Sequence, residues 1–183
     1  MRDTLGSLAV LGAVVLVAFG LPLIDQAIPA SRPLETVDAA PFTVGSGVTM
    51  VPPGQSRVDL VKTRPGRDRG TALFLIGGVR VAVVVGPYRG SLDDASNRLH
   101  HKLERTGDAS VGPAGPVRTT QDVSGVQGTY VSAGRPGTYA VFVADGVGVE
   151  VTASGSDSEL RALAPQLDLA IRSVRFGTPG RGP

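Results

Sequence analysis

The chain contains no cysteine and no tryptophan, and only two histidines and two methionines in 183 residues. Without cysteine there can be no disulfide, thiolate metal site, iron–sulfur cluster or thiol nucleophile. That absence leaves the compartment open, because an exported domain with an adequate core needs no disulfide. Aromatics are limited to five Phe and three Tyr, which argues against stacking platforms for nucleic acid or sugar. Phosphate loops are missing too: there is no Gly-x-x-x-x-Gly-Lys and no Gly-x-Gly-x-x-Gly opening a helix. Neither a Gly-x-Ser-x-Gly elbow nor a Ser-x-x-Lys motif occurs. No cofactor is therefore expected.

Net charge is also small. Eighteen basic residues face sixteen acidic ones, giving +2, so neither nucleic acid nor an acidic partner is indicated by the balance. All but Lys62 and Lys102 of the basic residues are Arg, which with the Ala, Gly, Val and Pro bias points to a GC-rich genome such as that of actinobacteria. The densest basic run holds Lys62, Arg64, Arg67 and Arg69 around Asp68. It lacks interleaved aromatics and helical spacing, and reads as a solvated hairpin loop rather than a nucleic-acid site.

What the chain does have begins with residues 5–24, twenty positions without a charge. At 1.5 Å per residue such a helix spans roughly 30 Å, the hydrocarbon thickness of a bilayer. Arg2 precedes the run and Asp25 follows it, which favours residues 1–4 in the cytoplasm and the remainder outside. A cleaved signal peptide has a shorter apolar region and small residues before the cut. Here Ile28 or Asp25 would occupy the −3 position, so an uncleaved signal anchor is preferred. Residues 25–40 carry Pro29 and Pro33 without apolar periodicity and read as a flexible stalk. A folded domain is expected over 41–176, with a disordered tail over 177–183.

With 42% hydrophobic residues, the domain can build a real core. Strands are expected at 48–52, 57–62, 71–76 and 79–85, the last two joined at Gly77-Gly78. Consecutive apolar residues from Val81 to Val85 predict a central strand covered on both faces. Helical spacing of Leu92, Ala95, Leu99 and Leu103 predicts a helix over 91–105, capped at Ser91 and closed by Gly107. A Gly/Pro loop is expected over 108–116, then strands at 117–122, 128–133, 138–144 and 147–153. The last three are punctuated by Arg135-Pro136-Gly137 and Asp145-Gly146. Gly125 to Gly128 reads as a turn or bulge. A final amphipathic helix over 157–174 starts at the capping box Ser156-x-x-Glu159, with Pro165 kinking or dividing it. Strands, helix, four strands and helix together make an α+β domain, an antiparallel sheet with two helices packed on it.

Chemistry is sparse. His100 and His101 are adjacent on a helix, diverging by about 100°, and cannot present one metal face as an i, i+4 pair would. No metal site is expected, and Glu104 or Asp108 beside one histidine would be a poor substitute. Asp93-Asp94 suit a helix start, and Glu150 and Asp122 have no evident partner. A serine hydrolase would have to use His100 or His101 as its base, a minor alternative. Tyr88, Tyr130 and Tyr139 are the candidate ligand-binding residues if a pocket lies between sheet and helices; core or surface packing competes at each.

Two stretches carry a resemblance. Met1 to Leu11, running into the apolar segment, and Phe142 to Gly155 with Glu159 to Ala164, resemble an actinobacterial single-pass membrane family of unknown function. Its usual Gly-Trp is replaced here by Gly54-Gln55. The order of elements is similar to the PsbP-like sandwich of small exported actinobacterial proteins, some of them associated with type VII secretion. The resemblance implies fold and topology, not substrate. The expectation is a membrane-anchored extracytoplasmic binding or accessory domain, non-catalytic, with a cell-envelope protein partner. A small-molecule or lipid-binding module is the alternative.

Overall fold

A computed structural model describes residues 34–36, 40–105 and 109–177. The apolar segment 5–24, most of the 25–40 stalk and the tail after Gly177 lie outside the described residues. Among those described, no helix is long and apolar enough to cross a membrane.

Among the described residues ten strands and two helices follow in the order β1 (Leu34–Thr36), β2 (Phe42–Gly45), β3 (Val48–Met50), β4 (Arg57–Asp59), β5 (Gly70–Ile76), β6 (Val79–Pro87), α1 (Leu92–Arg105), β7 (Ser110–Arg118), β8 (Ser124–Ser132), β9 (Arg135–Ala144), β10 (Val147–Ser154) and α2 (Asp157–Arg172). Eight strands form one antiparallel sheet ordered β1-β4-β5-β6-β10-β9-β8-β7, and β2 pairs with β3 apart from it. The short β1 falls within the segment read as a stalk, where its three residues pair with β4. β2 is an element the sequence reading lacked.

The sheet separates two cores. On one face the alternating residues Val79, Val81, Val83 and Val85 of β6, and Val147, Val149 and Val151 of β10, meet Leu167 and Ile171 of α2 and Val44, Val48 and Met50 of the β2–β3 hairpin. On the other face α1 lays Ala95, Leu99 and Leu103 over Tyr130, Tyr139 and Val141. β6 is central as expected, yet its second face is only half-buried at Ala82 and Val84, because α1 sits over β7 to β9.

Three further expectations are corrected. The 108–116 loop is largely strand β7, bulged between Val111 and Ala114. Pro113 and Pro116 fit there because β7 is an edge strand, where a missing N–H costs no ladder bond. Gly125 to Gly128 is strand, not turn, and the β8–β9 reversal is Ala133-Gly134, with φ of 49° and 72°, so β9 already begins at Arg135. Asp145-Gly146, also at positive φ, joins β9 to β10 as read from the sequence. Finally, of the kink or division expected at Pro165 the division does not occur, and α2 runs as one helix past it. Pro165 and Arg161 are both exposed, so water can satisfy the Arg161 carbonyl that the missing N–H abandons.

Both helices begin alike. Ser91 accepts from the Asp94 N–H at 3.1 Å while Asp94 accepts from Ser91. Ser156 and Glu159 form the expected capping box, and Glu159 additionally accepts from the Gly78 N–H at 2.9 Å. The α2 start is thereby tied to the β5–β6 hairpin. Its far end is held by Ser173, whose Oγ accepts from the Val51 N–H at 2.8 Å.

Candidate functional site

The three tyrosines gather on the α1 face. Tyr130 stands opposite Gly137 and Tyr139 opposite Gly128 in the β8–β9 register. A Cβ on Gly137 would sit 2.3 Å from the Tyr130 ring, and one on Gly128 would sit 2.6 Å from the Tyr139 hydroxyl. Phe142 lies over Gly125 in the same way, but on the α2 face. Each glycine leaves the strand surface bare, and the opposing ring folds down to cover it. This pairing is why Gly125 and Gly128 belong in a strand. Tyr88 packs at the margin, its ring 5.3 Å from the Arg98 guanidinium carbon. Burial raises the pKa of all three phenols, Tyr130 to about 12.

The histidines are likewise engaged. His100 Nε2 lies 2.5 Å from the Tyr139 hydroxyl, joining α1 to β9. His101 lies 3.5 Å from Glu104 on its own helix. Among the described residues neither imidazole is hydrogen-bonded to a serine. Glu150 and Asp122 do have partners: Lys102 meets Glu150 at 2.9 Å across the α1–β10 contact, and Arg118 meets Asp122 at 2.7 Å. Asp93 and Asp94 sit in the first turn of α1, where the helix dipole favours them. Asp108 lies outside the described residues, and among those described no three His, Asp or Glu side chains gather as a metal site.

A groove among the described residues opens on the other face. Between the first half of α2 and strands β7 to β9 lies a groove of about 510 Å³, within the roughly 300–1,000 Å³ typical of ligand pockets. Its helix wall carries Leu160, Ala164 and Leu167; its sheet floor carries Gln127, Thr129 and Thr138. At the rim Arg161 pairs with Asp157, and Arg172 holds Asp168 at 2.7 Å. The α2-facing side of β8 starts with Gly125 under Phe142 and continues with Gln127 and Thr129. These residues do not fill the space below the helix, and Leu160 stays half-buried and Ala164 exposed. The lining offers apolar contact with neutral hydrogen-bonding groups. Of the candidate tyrosines only Tyr130 borders it. The signal was present in the sequence: threonine and glutamine alternate on the strand opposite the helix's apolar stripe.

No family model and no curated protein matches the chain by sequence. Cyanobacterial PsbP (CyanoP) from Synechocystis sp. PCC 6803 superposes with a TM-score of 0.53 at 11% identity, covering 82% of this chain and 99% of that one. The domain has a PsbP-like fold. Two further solved structures are similar more distantly. Protein PA94 of unknown function from Pseudomonas aeruginosa gives a TM-score of 0.48 at 11% identity, over 61% of this chain and 86% of that one. LpqN, involved in cell envelope biogenesis of Mycobacterium tuberculosis, gives 0.39 at 11% identity, over 84% and 88%. At such identity the PsbP likeness carries the architecture of this sheet-dominated α+β domain and no activity.

Proposed function

We propose that this PsbP-like domain is a non-catalytic binding or accessory module, held outside the cytoplasm by residues 5–24 and acting on a protein partner of the cell envelope. The observation that carries it is the groove beneath α2, a preformed concavity on a rigid sandwich. Its polar side chains are neutral or ion-paired, and among the described residues no nucleophile–base pair adjoins it. Binding, rather than bond-breaking, is the chemistry such a lining supports.

The test is crosslinking of the tagged full-length protein in its native membrane, compared with an Ala164→Trp variant. Ala164 is exposed on the groove wall, so the indole fills the groove without entering the core. A partner captured by the native chain and lost from the variant is the expected result. Capture of nothing but the protein itself, or of the same species by both chains, sinks the reading. The groove's volume also favours a second reading, a small-molecule or lipid ligand. Thermal shifts with envelope lipids and metabolites that vanish in Ala164→Trp would replace the protein partner by that class.

A further inference from the structure

The basic run set aside as a solvated loop occupies a distinctive place. Asp59, at the end of β4, is buried, and its Oδ1 accepts from the N–H groups of Val61 and Lys62 at 3.0 and 3.1 Å. The Thr63 N–H returns to the Asp59 carbonyl at 2.9 Å. This tight turn holds Leu60 and Val61 outward, 47% and 57% exposed. The chain then passes beside the start of β5, beyond its pairing with β4, where Arg64 bridges Thr71, and is fastened to the β2–β3 hairpin by Ser46 and Gly66 backbone bonds. Two aliphatic side chains and the cationic loop are thus presented on fixed backbone. Arg64, Arg67 and Arg69 are exposed, and none forms an ion pair with a described residue. The loop's exposed acid is Asp68.

The entry of the chain falls at the same corner. In the β1–β4 register Leu34 stands opposite Asp59, so β1 begins at the corner that carries Leu60. Only residues 25–33 separate this point from the apolar run 5–24, and nine residues reach at most roughly 30 Å. A domain tethered so briefly at this corner turns this end of its sheet toward the tether. Aliphatic side chains flanked by arginines are the composition of an interfacial contact: the apolar pair enters the headgroup boundary and the guanidinium groups meet phosphates.

We propose that Leu60, Val61 and the loop from Lys62 to Arg69 form a docking surface for the anionic lipid headgroups of the membrane that holds the chain. The proposal rests on the reading of residues 5–24 as a membrane anchor, and the experiment separates the two. Because the chain has no cysteine, a single Val61→Cys carries an environment-sensitive fluorophore on the full-length protein in lipid nanodiscs. One set of discs is neutral phosphatidylcholine, and the other includes phosphatidylglycerol; both contain spin-labelled quencher lipid. Ser158→Cys, exposed in the first turn of α2 at the opposite end of the sheet, is the reference position.

Quenching of the Val61 probe in anionic discs, well above that at Ser158, is the expected result. It falls in high salt, and each arginine lost among Arg64, Arg67 and Arg69 weakens attachment about fivefold. The Arg64→Glu/Arg67→Glu/Arg69→Glu chain therefore loses most of the quenching. A Val61 probe as water-exposed as the one at Ser158, in a chain that has entered the discs, overturns the docking surface and leaves the anchor standing. Equal quenching in neutral and anionic discs overturns headgroup recognition by the arginines. A chain that does not enter the discs overturns the anchor and the proposal together.

Discussion

The two faces of the sheet are built by different means. Beneath α2 the core is apolar and continuous, with valines from β6 and β10 and the buried rings of Phe74 and Phe142 meeting leucine and isoleucine from the helix, and a small hairpin closing one end. Beneath α1 the core is smaller, and its bulk comes from Tyr130 and Tyr139 lying over glycines of the neighbouring strand. Polar pins supplement it, His100 to Tyr139 and Lys102 to Glu150. One face is held by close-packed volume and the other by a few large rings with polar tips. The groove falls where the first arrangement runs out, at the polar end of β8 and β9.

This contrast can be broken most severely through Phe142, fully buried in the α2-side core and covering Gly125. Phe142→Ala removes the ring and bares the glycine, and should cost about 3–5 kcal/mol in denaturant unfolding. The α1 face should fail differently, through alkali. Tyr130 ionises at about 12 in the folded protein because burial disfavours the phenolate, against roughly 10 when unfolded. A raised folded value means the stabilisation is complete below pH 10 and is lost as pH climbs toward 12. Two units correspond to about 2–3 kcal/mol. Chemical unfolding followed from pH 9 to 12 should show that loss, and Tyr130→Phe should flatten it.

Gly128→Ala sharpens the comparison further. Its methyl would meet the buried Tyr139 hydroxyl and displace the His100 contact, at a cost of about 1–3 kcal/mol. Gly134→Ala meets no atom within 4 Å but sits at φ +72°, so unfolding measurements on the pair separate crowding from backbone strain. The smallest effect lies at the α2 cap. Hydrogen bonds from the Ser156 side chain and backbone, then from the Gly78 N–H, hold the Glu159 carboxyl below its ordinary value. That contribution is present above the unfolded carboxyl range and is lost as pH falls through the lowered folded value. Ser156→Ala should cost about 1 kcal/mol at pH 7, and the difference from native should shrink at pH 3.

Where sequence and structure agree, the signals were local. The α1 stripe of Leu92, Ala95, Leu99 and Leu103, the serine caps and the Asp145-Gly146 reversal each need only a few neighbouring residues. Where they part, a distant strand decides. Glycine reads as a turn residue until Tyr139 and Phe142 are placed opposite Gly128 and Gly125. Pro113 and Pro116 read as a loop until β7 is known to be an edge. Tyr88, Tyr130 and Tyr139 offered polar tips and flat rings, but nothing in their spacing shows that the strand register turns two of them onto glycines. The groove was harder still, since its floor and wall come from segments some thirty residues apart in the chain.

By itself the sequence determined the α+β class, the helix faces and caps, the β5–β6 and β9–β10 hairpins, and an apolar run long enough for a bilayer. These follow from period, turn chemistry and length, which act within a dozen or so residues. Tertiary structure alone decided which side of the sheet each helix covers, where α2 leaves space beneath it, and that Leu60, Val61 and the arginine loop share a corner with the entering chain. Such placements depend on strand order and register, and pairing between distant segments is set by the fit of the whole sheet rather than by any one segment's preference.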